Sequence, residues 1–183
     1  MPLTFQQFIA SLNLQHFSAA ELLVSTSKPG NAEPPERIWP NIVPTIIILD
    51  KLRETLGKPI TISSCYRNRV YNQRIGGVKL SQHTAFTAID FKVRNVSPQR
   101  VKNQLIDWRD NGEEFLLPFP IERKRVTVQG ETIGQTSLHQ YDVDHQRFFQ
   151  FDGGIGVYRT FVHLDTRGSN HIWYGQGVGD VSA

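Results

Sequence analysis

The chain has 183 residues, 39% of them hydrophobic and 20% charged, a balance that excludes disorder over the whole length and allows a core without disulfides or oligomerisation. Twenty Lys and Arg against 17 Asp and Glu leave a net charge of +3, compatible with a polyanionic partner such as nucleic acid or an acidic cell wall but insufficient to identify one. The single cysteine, Cys65, excludes an internal disulfide framework and an all-cysteine metal site, and no run approaches 18 apolar residues, so no membrane-inserted helix is expected. The opening stretch MPLTFQQFIASLNLQHF lacks a basic region followed by a sustained apolar one, so no secretory signal is expected.

Residues 5–24 read as helix in two pieces, the second opened by a capping-box spacing from Ser18 to Glu21. The Pro/Gly/Ser-rich run from Ser25 to Glu36 is loop. From Asn41, the residues Ile42, Ile46, Leu49, Leu52 and Leu56 recur at helical steps, with Pro44 in the first turn and Gly57 as the stop. Ile60 to Ser63 is a short β-branched strand, and residues 64–87 have no clean period and read as a long loop. Ala88 to Val93 alternates, placing Ile89, Phe91 and Val93 on one face and Asp90 on the other. Ser97-Pro98 opens a helix that Asn111-Gly112 closes.

Residues 113–150 carry the weakest pattern. Arg125 to Val128 and Glu131 to Ile133 are expected to pair as a hairpin across Gln129-Gly130, and Glu122 to Arg125 is expected to be a solvated basic face. The last strong strand signal runs from Val157 to Leu164, followed by Trp173 and a Gly-rich tail from Gly175 to Gly179.

Two stretches stand out chemically. His83 precedes Asp90 from a loop, and Phe161-Val162-His163-Leu164-Asp165 puts His163 and Asp165 on one strand face. If strands 88–93 and 157–165 are neighbours, Asp90, His163 and Asp165 line one surface that His83 can reach. Two imidazoles and a carboxylate suit Zn²⁺ and leave a fourth position for water. His16, His139, His145 and His171 have no such company and read as ordinary surface or core histidines, and Cys65 as a small buried residue.

Ser81-x-His83-x6-Asp90, followed at a distance by Phe161-Val162-His163-x-Asp165, resembles the M15 group of zinc D-Ala-D-Ala peptidases, whose fold is related to the hedgehog signalling domain. Supporting matches are Ser64-Cys65-Tyr66-Arg67 with Asn72, Gly76-Gly77, Gly153-Gly154-Ile155-Gly156-Val157-Tyr158, and Trp173. They run from about Pro59 to Trp173 and leave 113–150 unmatched. The resemblance implies one α+β domain over 1–183, a small antiparallel sheet with helices on one side and a zinc groove on the other. An N-terminal helical segment (about 1–57) and an inserted hairpin or loop (about 113–150) would complete it.

The resemblance also implies zinc held by His83, Asp90 and His163, and Arg67 facing the charge that builds on the scissile carbonyl. Ser81 and Tyr66 would contact substrate, Ser81 either holding its terminal groups or stiffening the loop. The general-base Glu that several members place three residues before the second His is Thr160 here. Asp165 then stands either as the base or as the group orienting an imidazole; as a ligand in place of Asp90 it fits the motif less well. The expected partner is the peptidoglycan stem peptide, met at the bacterial cell wall by a monomer. The alternatives are a catalytically impaired wall-binding module of the same fold, and a nucleic-acid binder that rests on basicity alone and has no recognised motif.

Overall fold

The computed structural model describes residues 3–133, 138, 140–176 and 178; His139, and Gly177 and Gly179 of the tail, lie outside the described residues. The fold is α+β. Helix α1 (Phe5–Ala10) starts on a Thr4–Gln7 capping box and α2 (Ala19–Leu22) on the Ser18–Glu21 box read from the sequence. The backbone N–H groups of Gln15 and His16 donate to the Asp50 carboxylate, tying the connection between them to α3 (Val43–Leu56). A 3-10 turn (Glu36–Ile42) leads into α3, and Gly57, with φ of 57°, ends it. Ile46, Leu49 and Leu52 of α3 are fully buried.

A five-stranded sheet in the order β1-β2-β9-β8-β10 forms the centre. Its strands are β1 (Ile60–Ser64), β2 (Ala88–Val93), β8 (Gly154–Val157), β9 (Val162–Asp165) and β10 (His171–Tyr174). The first four pair antiparallel, whereas β10 runs parallel to β8, so the sheet is mixed where a purely antiparallel one is expected. The expected strand from Val157 to Leu164 is broken by a turn at Tyr158–Phe161, closed by Tyr158 N–H donating to the Phe161 carbonyl at 3.0 Å. Ile89, Phe91, Ile155 and Leu164 are fully buried, and helix α5 (Pro98–Asp110) packs across β2, β9 and β8 with Val101, Leu105 and Trp108 buried.

Register builds the other face. Ser64, Asp90, His163, Gly156 and Trp173 are successive Cα partners across all five strands, so they form one row. Residues paired across neighbouring strands share a sheet face, which brings groups more than a hundred residues apart in sequence into line.

Two expectations for the loops are corrected. Within 64–87 the chain forms α4 (Arg69–Arg74), capped by the Asn68 side chain accepting from Tyr71 N–H. Its inward residue is the polar Asn72, while Val70 is 70% exposed, so the apolar period that marks a helix is inverted. Residues 113–150 hold more than a hairpin. The expected pair is there as β4 (Val126–Val128) and β5 (Glu131–Ile133), together with a three-stranded antiparallel sheet of β3 (Glu114–Leu117), β7 (Gln146–Gln150) and β6 (Gln140–Val143).

The basic cluster is corrected too. Glu122, Lys124 and Arg125 are exposed, but Arg123 is only 1% exposed and donates to the Thr166 carbonyl at 2.5 Å. Burial lowers its pKa to about 10, with the Asp165 carboxylate opposing. A guanidinium from the 113–150 segment thus braces the end of β9.

Candidate metal centre

His83 sits in the turn-rich segment between α4 and β2. The Thr84 and Phe86 N–H groups close onto the carbonyls of Ser81 and His83, and Thr87 N–H onto that of Gln82. Phe86 adopts φ of 60°, a left-handed conformation uncommon for a bulky residue. Its fully buried ring is held 6.1 Å from Phe5 and 5.8 Å from Tyr66. Tyr66, expected at the substrate, is therefore in the core beneath this turn, 7% exposed, and does not line the groove.

Within the Ser64-Cys65-Tyr66-Arg67 stretch, Cys65 and Tyr66 act through their main chain. The Cys65 carbonyl lies 2.6 Å from His83 Nδ1, which fixes that nitrogen as the donor and leaves the Nε2 lone pair free. Cys65 N–H and the Tyr66 carbonyl are in turn held by Ser25 Oγ at 3.1 and 3.2 Å, so the N-terminal segment supports the stretch. The Cys65 thiol is fully buried, and burial pushes its pKa up.

Around Asp90 the contacts converge. Oδ1 lies 2.8 Å from His163 Nδ1 and 3.1 Å from His83 Nε2, and Oδ2 accepts from Arg67 Nη2 at 2.5 Å. Arg67 Nε donates to Ser64 Oγ at 2.8 Å. One donor atom each from His83, Asp90 and His163 falls within 4.8 Å of the others, and all three residues are buried. Such a group can hold a metal ion, and its donor chemistry fits one: each imidazole has its remaining nitrogen anchored, His83 on the Cys65 carbonyl and His163 on a carboxylate, the pattern that orients histidine ligands.

That carboxylate is Asp165, which is fully buried. Its Oδ2 lies 2.9 Å from His163 Nε2 and accepts from Arg167 Nη2 at 2.6 Å. Its Oδ1 accepts from Arg167 Nε at 2.8 Å and from the backbone N–H groups of Arg167 and Gly154 at 3.1 and 3.3 Å. Both oxygens are committed.

Arg67–Asp90–His163–Asp165–Arg167 is thus a continuous chain of alternating charge and imidazole. Burial disfavours charging His163, but the hydrogen bonds to Asp165 and Asp90 outweigh it and push its pKa up to about 9. Burial would also raise both carboxyls; the imidazoles of His83 and His163 beside Asp90, and the hydrogen bonds from Arg167 and His163 on Asp165, hold them well below the usual carboxylate range. His83 is shifted down, first by burial, toward the neutral form that ligates metal.

A groove of about 440 Å³ opens over this chain, and Arg67, Ser81, His83, Asp90, His163 and Arg167 all line it. Asp90 is the one carboxylate among its described lining residues. Thr160, three residues before His163, is exposed and does not line it.

The glycines before Tyr158 have a steric reason. A β-carbon on Gly156 would lie 2.6–2.8 Å from three atoms of the Trp173 indole, and one on Gly154 would lie 2.6 Å from Asp165 Oδ2. Their absence lets the indole lie over β8, 5.1 Å from the His163 ring and under the Arg167 guanidinium at 5.2 Å. Gly156→Ala is expected to destabilise the protein by about 1–3 kcal/mol through overpacking. Thermal unfolding followed by Trp fluorescence checks this; an unchanged midpoint would mean that the indole does not rest on that strand.

Arg167 was not anticipated, although the alternation His163, Asp165, Arg167 carries the signal, since a third residue at period two continues the same face.

No curated protein and no solved structure matches the chain. The family model Peptidase M15 matches residues 15–116, more than half of the chain, a span that contains the Ser64 to Arg67 stretch, Ser81, His83 and Asp90 and that the fold completes with His163 from outside it. On that match, joined to a buried His-Asp-His group in an open groove, the chain belongs to the M15 peptidase family.

Proposed function

We propose that this chain is a zinc-dependent peptidase hydrolysing peptide bonds that involve D-amino acids in the stem peptides of bacterial peptidoglycan, acting at the cell wall through a hedgehog-like zinc groove. The observation that carries the reading is the buried group of His83 Nε2, Asp90 and His163 Nδ1 lining a groove of about 440 Å³. Zinc bound there supplies Lewis acidity and a water acidified to a pKa of about 7.

The protein's own groups divide the remaining work. Arg67 holds the outer oxygen of Asp90 and, with Nε on Ser64, keeps Nη1 in reserve for charge on the substrate carbonyl. Asp165 fixes the ring of His163 and aims its Nδ1 at Asp90; with both oxygens taken and no exposure, it supports the orienting role over that of proton acceptor. Ser81, 6% exposed on the groove wall, faces the substrate path.

A second reading, a wall-binding module that keeps zinc without turnover, is favoured by one observation: apart from Asp90 the described groove lining offers no carboxylate to serve as base. Zinc-loaded protein incubated with purified peptidoglycan separates the two. New stem-peptide termini by mass spectrometry, lost in Asp90→Ala, are expected for the enzyme. Retained zinc and wall binding with no new termini select the module.

A further inference from the structure

We propose that Tyr158 is a substrate-binding residue of the groove, donating its phenolic hydrogen to an oxygen of the bound peptide, a main-chain carbonyl or a terminal carboxylate. The inference rests on the peptidase reading and deepens it. Tyr158 lines the groove, half-buried, at the point where β8 ends. Its Oη accepts from Trp173 Nε1–H at 3.1 Å, so the hydroxyl's own hydrogen must point elsewhere, and no acceptor for it is found among the described residues.

The phenol is held from several sides. Its ring stacks on Phe161 at 4.2 Å with 6° between planes. The Gly175 backbone closes on its edge so tightly that a β-carbon there would lie 2.2 Å from Cδ1. The main chain is pinned on both sides, by Tyr158 N–H donating to Phe161 and by Gly175 N–H donating to Val157 at 2.8 Å. The indole that fixes Oη is the one lying on His163, so the hydroxyl stands one indole away from the metal-binding group.

Phe161, Trp173 and Gly175 thus converge on fixing one hydroxyl with an uncommitted donor. A donor pre-aimed in this way binds its acceptor without the cost of ordering it at the moment of contact. Its neighbours on this wall already have two of their nitrogens engaged each: Arg167 holds Asp165 with Nε and Nη2, and Arg67 holds Ser64 with Nε and Asp90 with Nη2. With its oxygen already accepting from Trp173 and its hydrogen unengaged, Tyr158 is set to donate to an acceptor, which on a peptide is oxygen.

The test compares wild type and Tyr158→Phe, both zinc-loaded, on a stem pentapeptide with a free and with an amidated C-terminus. Phenylalanine keeps the ring stack and removes only the hydroxyl. KM is expected to rise about ten- to hundredfold with little change in kcat and in bound zinc. A rise confined to the free acid identifies a terminal carboxylate; a rise on both peptides identifies a main-chain carbonyl. Trp173→Phe, which removes the N–H holding Oη, is expected to give a smaller rise in the same direction. Equal KM for wild type and Tyr158→Phe on both peptides overturns the proposal. If wild type hydrolyses neither peptide, the peptidase reading fails, and calorimetric binding of the same two peptides decides this one: about tenfold weaker binding by Tyr158→Phe upholds it, and equal or absent binding overturns it.

Discussion

Alanine at His163 is expected to empty the protein of zinc and to lower peptide-bond hydrolysis about a thousandfold or more, a loss on the scale of several kcal/mol of transition-state stabilisation. His163 is the residue through which both halves of the site meet. Its Nδ1 faces Asp90 on the neighbouring strand and its Nε2 faces Asp165 two residues along its own. Removing the ring takes one contact from Asp90 Oδ1, which keeps His83, and one from Asp165 Oδ2, which keeps Arg167, so the two carboxylates repel across the vacated space without the imidazole that joins them.

The metal-free protein gives a second readout of the same residue. In the folded chain His163 has its pKa raised to about 9 from an ordinary value near 6.5. A group raised on folding contributes stability that is fully present below about pH 6.5 and is lost as pH climbs through about 9. The contribution is on the order of 3 kcal/mol, so His163→Ala is expected to flatten the metal-free stability profile between those limits. The same proton must leave before Nδ1 can ligate, so zinc affinity of wild type is expected to rise with pH over that window. Denaturant titrations of metal-free wild type and His163→Ala at pH 6 and 9.5, with zinc measured on the purified proteins, check both parts. Parallel profiles together with full zinc in the variant would remove His163 from the centre.

The legible part of this site followed from alternation. Ala88 to Val93 and the residues around His163 each have a face that period two decides, so once the strands are neighbours Asp90 and His163 have to share a surface, as their direct pairing in register shows. What alternation cannot carry is the orientation of a ring. The tautomer of His83 is set by the carbonyl of Cys65, a group every residue possesses, and no side-chain pattern announces it.

The sheet of β3, β7 and β6 was hidden for a related reason. The β6–β7 turn is made by Asp144 and His145 at φ of 49° and 68°, where glycine or asparagine would have signalled a hairpin, while Gln129-Gly130 kept that signal for β4 and β5. Arg123 was hidden by its neighbours. In Glu122 to Arg125 only the residue facing Thr166 turns inward, and a run of four charges gives no hint which one it is.

Asp165→Asn is the substitution that separates the two roles open to this carboxylate, and it is expected to weaken zinc binding about ten- to hundredfold. The amide matches the carboxylate in shape but has one oxygen in place of two. Asp165 now accepts from His163, from Arg167 through two nitrogens and from two backbone N–H groups. Whichever way the amide turns, its NH₂ meets one of these donors head-on, and the Arg167 guanidinium loses the charge that holds it. Breaking a buried pair on one side costs about 3–5 kcal/mol, so a clear fall in the unfolding midpoint is expected as well. An orienting residue predicts that weakened zinc binding accounts for most of the lost activity, and that turnover recovers most of the way at saturating zinc. A proton acceptor predicts the opposite: wild-type zinc affinity, with kcat collapsed at every zinc concentration. Arg167→Met, which leaves the Asp165–His163 contact in place, is expected to show a weaker form of the first pattern, because the carboxylate keeps its hold on the ring but loses the cation that locks its rotamer.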